Sequence, residues 1–151
     1  MGDIIKNFQA RSATGEKPRL LKFYFDTGSP RTFVKKSAAL DMKDVAKLSA
    51  PVIFSGLGNG RFEATHIVSL RLKLLGIWVP HLCYVVPDEV LDPEYDVLLG
   101  HDFMQIYDIR VRPRQKDVAI RRNALKMALK GRSVYTTAKS TRHEVRLRLV
   151  V

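Results

Sequence analysis

A chain of 151 residues with 46% hydrophobic side chains is long enough for one domain with a sizeable core, and no apolar run reaches the length of a membrane span. Met1 to Lys17 is polar and lacks the apolar core of a signal peptide. Cys83 is the single cysteine, which excludes an internal disulfide and suits a reducing, cytoplasmic setting. The net charge of +11 lies wholly in residues 110–151, where 13 Lys and Arg face 2 acids, while residues 1–109 hold 13 of each sign.

Taken in chain order, residues 1–17 have no clear period and read as a loose arm, with 1–18 set apart as an N-terminal arm. Leu20 to Phe25 is an apolar, aromatic strand that runs into Asp26-Thr27-Gly28-Ser29. A carboxylate at the end of such a strand is costly to bury unless it is hydrogen-bonded, shared or used. Thr27 and Ser29 place hydroxyls beside it, and Gly28 leaves the backbone free to turn. Taken alone, the tetrapeptide also fits an ordinary Asp/Gly turn. Thr32 to Val34 reads as a short strand, and Lys36 to Lys47 as a short helix or helical turn.

Pro51 to Phe54 is a strand leading into Gly56-Leu57-Gly58-Asn59-Gly60, whose Asn-Gly pair is a hairpin signal. Phe62 to Leu74 alternates with period two, as a half-buried strand does. The pair makes a hairpin with a glycine-rich tip. That tip lacks the Gly-Lys-Ser/Thr ending of a phosphate loop. Ile77 to Val86 is a further strand. Asp88 to Tyr95 is an acidic loop without the alternating ligands and central glycine of a calcium loop. Asp96 to Leu99 is a short buried strand closed by Gly100, and Asp102 caps the helical turns that run to Tyr107. Ile109 to Arg112 and Val118 to Ile120 are short strands. Arg121 to Lys130 is a helix ended by Gly131, and Val145 to Val150 alternates as a strand. His66, His81, His101 and His143 show no zinc spacing and read as ordinary polar residues, and Cys83 as a small buried hydrophobe.

The order of strand, Asp26-Thr27-Gly28-Ser29, glycine-tipped hairpin and Leu98-Leu99-Gly100 with a helical turn after it resembles the retropepsin-like aspartic proteases, the single-lobe relatives of pepsin. The resemblance spans Leu20 to Ile120, assigned to a protease domain over 19–120. It implies a mostly β subunit, a closed barrel with a flap hairpin and short helices, that forms a two-fold homodimer. It implies that Asp26 is the catalytic carboxylate, that Thr27 bonds across to the partner subunit, and that Gly28 meets bound peptide through its backbone. Ser29 would bond the outer oxygen of Asp26. Gly56, Leu57, Gly58, Asn59 and Gly60 would form the flap tip, and Leu98, Leu99 and Gly100 would cross behind the catalytic loop. Where retroviral members pair an acid with an arginine, this chain has Pro30 and His101, so that ion pair is absent.

One Asp-Thr-Gly per chain requires two chains for a carboxylate pair. The implied activity is endopeptidase cleavage of extended protein or peptide segments with apolar side chains, with no cofactor and no metal. Leu57, Phe62 and Ile53 lie near the groove so implied. Two other functions stay open: a catalytically silent dimeric peptide-binding domain, and a nucleic-acid-associated protein using residues 110–151. No recognised nucleic-acid-binding motif accompanies that charge. The basic segment 121–151, helix then strand, offers a further strand for the dimer interface.

Overall fold

The computed structural model describes residues 3–56 and 60–139, the last eight without their side chains. Among the described residues nine strands and three helices follow one another. They are β1 Ile5–Arg11, β2 Arg19–Phe25, β3 Phe33–Lys35, α1 Lys36–Ala39, β4 Val45–Ser55, β5 Arg61–Leu74, β6 Ile77–Val86, β7 Val97–Leu99, α2 His101–Ile106, β8 Arg110–Arg112, β9 Asp117–Ala119 and α3 Arg122–Lys139. A single 3-10 turn sits at Asp88–Val90.

Alternation puts one face of each long strand inward. Along β5, Ala64, Val68, Leu70, Leu72 and Leu74 are fully buried, and along β6 so are Val79 and Cys83. These two strands pair antiparallel from Leu74↔Ile77 to His66↔Val85 across a two-residue turn. Its residues, Leu75 and Gly76, have φ of 48° and 80°, the left-handed pair that suits the twist of a tight hairpin. The sheet runs β1-β2-β7-β3-β6-β5-β4, and β1 also pairs with β5 through Ala10↔Leu72 and Arg11↔Arg71. Six strands thus close into a barrel, with β4 extending it as the outer strand of the β4–β5 hairpin. Phe23, Phe25, Leu99, Phe103 and Tyr107 fill the interior.

Three boundaries differ from those expected. The first residues are not a loose arm: Ile5–Arg11 is a strand, in register with β2 from Ile5↔Tyr24 to Ala10↔Arg19. Its inward row includes Lys6, which pairs with Asp117 at 3.1 Å and so hides the apolar period. The helical segment after Lys36 ends at Ala39, and β4 begins at Val45 because β5 is long enough to pair with it, through an irregularity between Lys47 and Val52. Gly131 does not end α3, which continues to Lys139. A glycine inside an exposed helix costs only about 1 kcal/mol, and Leu125 on the buried face anchors this one. The strand expected at Val145 to Val150 lies outside the described residues.

Candidate active site

Strand β2 delivers Asp26 to the rim of the barrel. Phe25 is buried and its amide donates to Ile4 at 3.0 Å; Asp26 follows half-buried, and its own amide donates to the Leu99 carbonyl at 2.9 Å. The carboxylate then turns onto its own loop, with the Gly28 N–H donating to Oδ1 at 2.9 Å. An ideal Cβ on Gly28 would stand 3.3 Å from that oxygen, so glycine gives this amide its close approach. Among the described residues no cation forms an ion pair with Asp26. Its charge is felt at Tyr24: burial first, then Asp26, Asp3 and Tyr95 push that phenol up to about 12. Tyr24 lies against Tyr95 with ring centroids 4.8 Å apart.

Thr27 and Gly28 are exposed beside the carboxylate, on the rim and not in the core. Ser29 is buried, and here the structure departs from the role the resemblance implied. Its hydroxyl donates to the Arg31 carbonyl at 2.8 Å and not to Asp26, while its amide donates to the Asp26 carbonyl at 3.2 Å. Ser29 therefore closes the loop on itself. The loop turns back between β2 and β3, which brings the Arg31 carbonyl to the Ser29 hydroxyl.

Strand β7 holds both sides of this loop. It pairs parallel with β2 (Phe25↔Leu99) and antiparallel with β3 (Phe33↔Leu98), so Leu98 and Leu99, both fully buried, lie behind the loop. Gly100 then passes so close that a Cβ would stand 2.2 Å from the Arg31 carbonyl oxygen and 2.7 Å from that of Ser29. The next amide, His101, donates to Ser29 at 2.7 Å.

Beneath Gly100 lies a polar group that the sequence reading missed. Thr32, fully buried, donates its hydroxyl to Asp102 Oδ1 at 2.7 Å and accepts from the Gly100 amide at 3.1 Å. Asp102 Oδ1 also takes the Phe103 amide at 2.8 Å, and Oδ2 meets His81 Nε2 at 3.0 Å. Burial pushes the Asp102 carboxyl up, but the His81 hydrogen bond and charge, with Thr32 and Phe103, outweigh it and hold it below the usual aspartate range. Asp102 is thus not the helix cap expected: Gly100 occupies that place, and Asp102 in the first turn ties α2 to β3 and β6. The missed signal was phase. His81 falls in the inward row of Val79, Cys83 and Val85, and a polar side chain there needs a buried partner.

The β4–β5 hairpin is built on aromatics. Phe54 and Phe62 stack at 5.4 Å, and Phe33 meets them edge-on at 5.0 and 5.4 Å. Tyr84 joins Phe54 at 4.9 Å. Phe62 is therefore committed to packing inside the hairpin, at the Phe54↔Phe62 pair one step from its tip, while Ile53 is 55% exposed. Gly56 and Gly60 bracket the tip with φ of 105° and 110°, and the Gly56 amide donates to the Gly60 carbonyl at 3.2 Å. Leu57, Gly58 and Asn59 lie outside the described residues. The acids after β6 cap backbone amides: Asp88 takes Ser37 at 3.0 Å, Asp92 takes Glu94 at 2.9 Å and Asp96 takes Lys22 at 2.9 Å.

No family model and no curated protein matches this sequence. Among solved structures, the chain is similar to the retroviral protease-like domain of Ddi1 from Leishmania major, with a TM-score of 0.53 and 18% identity over 77% of this chain and 87% of that one. It is similar also to EIAV protease in complex with the inhibitor HBY-793, with a TM-score of 0.50 and 16% identity over 69% and 86% of the two chains. At such identity the likeness speaks to architecture. Together with the six-stranded barrel, the β7 crossing and the Asp26 loop on its rim, it establishes that this chain has the retropepsin-like fold.

Proposed function

We propose that the chain is one half of an aspartic endopeptidase, with Asp26 of two copies meeting across a two-fold axis. The observation that carries the proposal is the setting of Asp26. It is a carboxylate on the rim of this fold, without a cation partner among the described residues, whose Oδ1 is held by the Gly28 amide at 2.9 Å. Two such carboxylates brought together share one proton, because close like charges do not both ionise. The ionised member takes a proton from water as it attacks the scissile carbonyl, and the protonated member donates to the carbonyl oxygen.

The other roles follow from that one. Thr27, exposed beside Asp26, bonds to its counterpart in the partner subunit and aligns the two loops. Gly28 offers backbone to an extended peptide, which adds as a strand beneath the hairpins. Gly56 to Gly60 forms the flap. Leu98, Leu99 and Gly100 hold the loop from behind. The substrate class is extended peptide with apolar side chains, since the walls of the hairpin are aromatic and Ile53 is exposed on it.

The test is digestion of a diverse peptide mixture between about pH 4 and 7, with cleavage sites mapped by mass spectrometry. Wild-type protein is expected to cut, and Asp26→Asn to lose the activity while keeping its fold. Full activity in the purified variant sinks the aspartic mechanism. A wild type that binds peptides without cutting them establishes a silent binding domain instead.

A further inference from the structure

The Asp26 loop is fastened at three points to the short segment Leu99–His101. The Asp26 amide is tied to Leu99, the Ser29 carbonyl to the His101 amide, and the Thr32 hydroxyl to the Gly100 amide. The third tie is the one whose geometry depends on other side chains. A threonine hydroxyl rotates freely, and it accepts from Gly100 in a fixed direction only when its own proton is committed elsewhere. Asp102 Oδ1 makes that commitment at 2.7 Å. Asp102 itself has two oxygens to satisfy in a largely buried place, and among the described residues Oδ2 is met by His81. The imidazole is 7% exposed, stands edge-on to Phe103 at 5.2 Å, and belongs to β6. Among the described groups packed around it, Asp102 is the charged one. Cys83 donates weakly to the His81 carbonyl, and its thiol is pushed up, first by burial and then by Asp102.

We propose that His81 is a positioning residue for the Asp26 loop, acting through Asp102, Thr32 and Gly100 to hold the carboxylate on the barrel rim. This deepens the peptidase proposal and rests on it for its kinetic consequence. Its structural consequence, the rigidity of the loop, does not depend on any activity. His81 Nε2–H holds Oδ2, so the carboxylate plane stays where Oδ1 takes the threonine proton. Without that donor a buried oxygen is left unmet and the carboxylate turns to find solvent or another amide. Thr32 then loses its fixed acceptor and Gly100 its partner, and the exit of the loop slackens.

Two substitutions separate the hydrogen bond from mere filling of space. His81→Phe keeps a ring against Phe103 and removes the N–H. His81→Gln keeps an N–H donor within reach of Asp102 and removes the ring. Amide exchange is read without substrate at Asp26, Gly100 and His101, with Val68 and Leu70 on β5 as internal references. His81→Phe is expected to speed exchange about tenfold at the first three relative to the references, and His81→Gln to return it to within about threefold of wild type. In peptide cleavage, His81→Phe is expected to lower kcat about tenfold with KM within about twofold, again with recovery in His81→Gln. Unchanged exchange at the loop, equal acceleration on β5, or equal effects of Gln and Phe each overturns the proposal. Should wild-type protein cut no peptide, the exchange arm still decides it, so its failure is distinct from failure of the peptidase proposal. If His81→Phe yields no folded protein, Thr32→Val breaks the same tie and carries the same readings.

Discussion

Gly100 shows how much can depend on one missing side chain. Two backbone oxygens lie where its Cβ would go, and neither is the end of a flexible group. Gly100→Ala must push the Arg31 and Ser29 carbonyls back, so the expected cost is about 2–3 kcal/mol or more. Denaturant unfolding measures it, and a loss under 1 kcal/mol would show that the crossing has room to spare. Asp102 makes a second prediction. Its carboxyl is depressed in the fold, so its stabilisation is present above the ordinary aspartate value of about 3.9 and is lost as the pH falls below it. Wild-type Tm should therefore drop between about pH 4 and 2, and Asp102→Asn should flatten part of that drop while lowering Tm at pH 7. Parallel curves for the two proteins would remove Asp102 from the acid response. Ser29→Ala is expected to cost about 1 kcal/mol without moving the acidic limb of kcat/KM, because the hydroxyl serves the Arg31 carbonyl. Asp26 and its glycine were legible in the sequence because a polar turn after an aromatic strand is conspicuous. His81 was not, since one histidine in an apolar row looks ordinary until its partner, 21 residues later, is placed beside it.

At the scale of elements, legibility followed period. Strands β5 and β6 matched within a residue, β5 because it alternates along its length and β6 because it is an apolar run of ten residues, with a two-residue turn between them. Strand β1 did not announce itself. Phe8 faces Phe23 and Phe25 at 5.6 and 6.2 Å, but Lys6 interrupts the same row, and its pairing with Asp117 is known only once β9 is in place. Helix α3 carries on through Gly131, the glycine that its sequence offers as a stop. Gly131 is exposed with open space around a Cβ, so Gly131→Ala is expected to stabilise by about 0.5–1 kcal/mol. A loss of stability in that variant would mean that the backbone there is not helical. The hairpin β4–β5 owes its stance to packing near its tip, where Phe33, 3% exposed, is wedged against both Phe54 and Phe62. Phe33→Leu keeps most of the volume and loses these ring contacts, at an expected cost of about 1–2 kcal/mol together with a raised KM for peptides. An unchanged KM would detach the hairpin from substrate binding.

Over the whole molecule, charge is concentrated toward the end of the chain. The basic excess begins at β8 and runs into α3, with Arg110, Arg112, Arg121, Arg122, Lys126 and Lys130 among its members, and Asp108 answers Arg110 and Arg121. Among the described residues none of them forms an ion pair with Asp26. If half a site per chain is the working arrangement, activity per subunit must fall on dilution as dimers separate. Activity that stays proportional to protein down to concentrations at which the chain sediments as a monomer would refute the paired site.

The double pairing of β1 has a mechanical meaning. A barrel of six strands has no free edge, yet this one is closed by a strand whose bond to β5 is only the two-residue register Ala10↔Leu72 and Arg11↔Arg71, while its bond to β2 runs over six residues. The first strand is therefore a zip with one strong side and one weak. A chain starting at Lys17 would present two sticky edges, β2 and β5, at the mouth of an open cylinder. A synthetic peptide of residues 3–16 supplied in solution should slot between them and restore the closed form, turning an intramolecular seam into a measurable binding reaction.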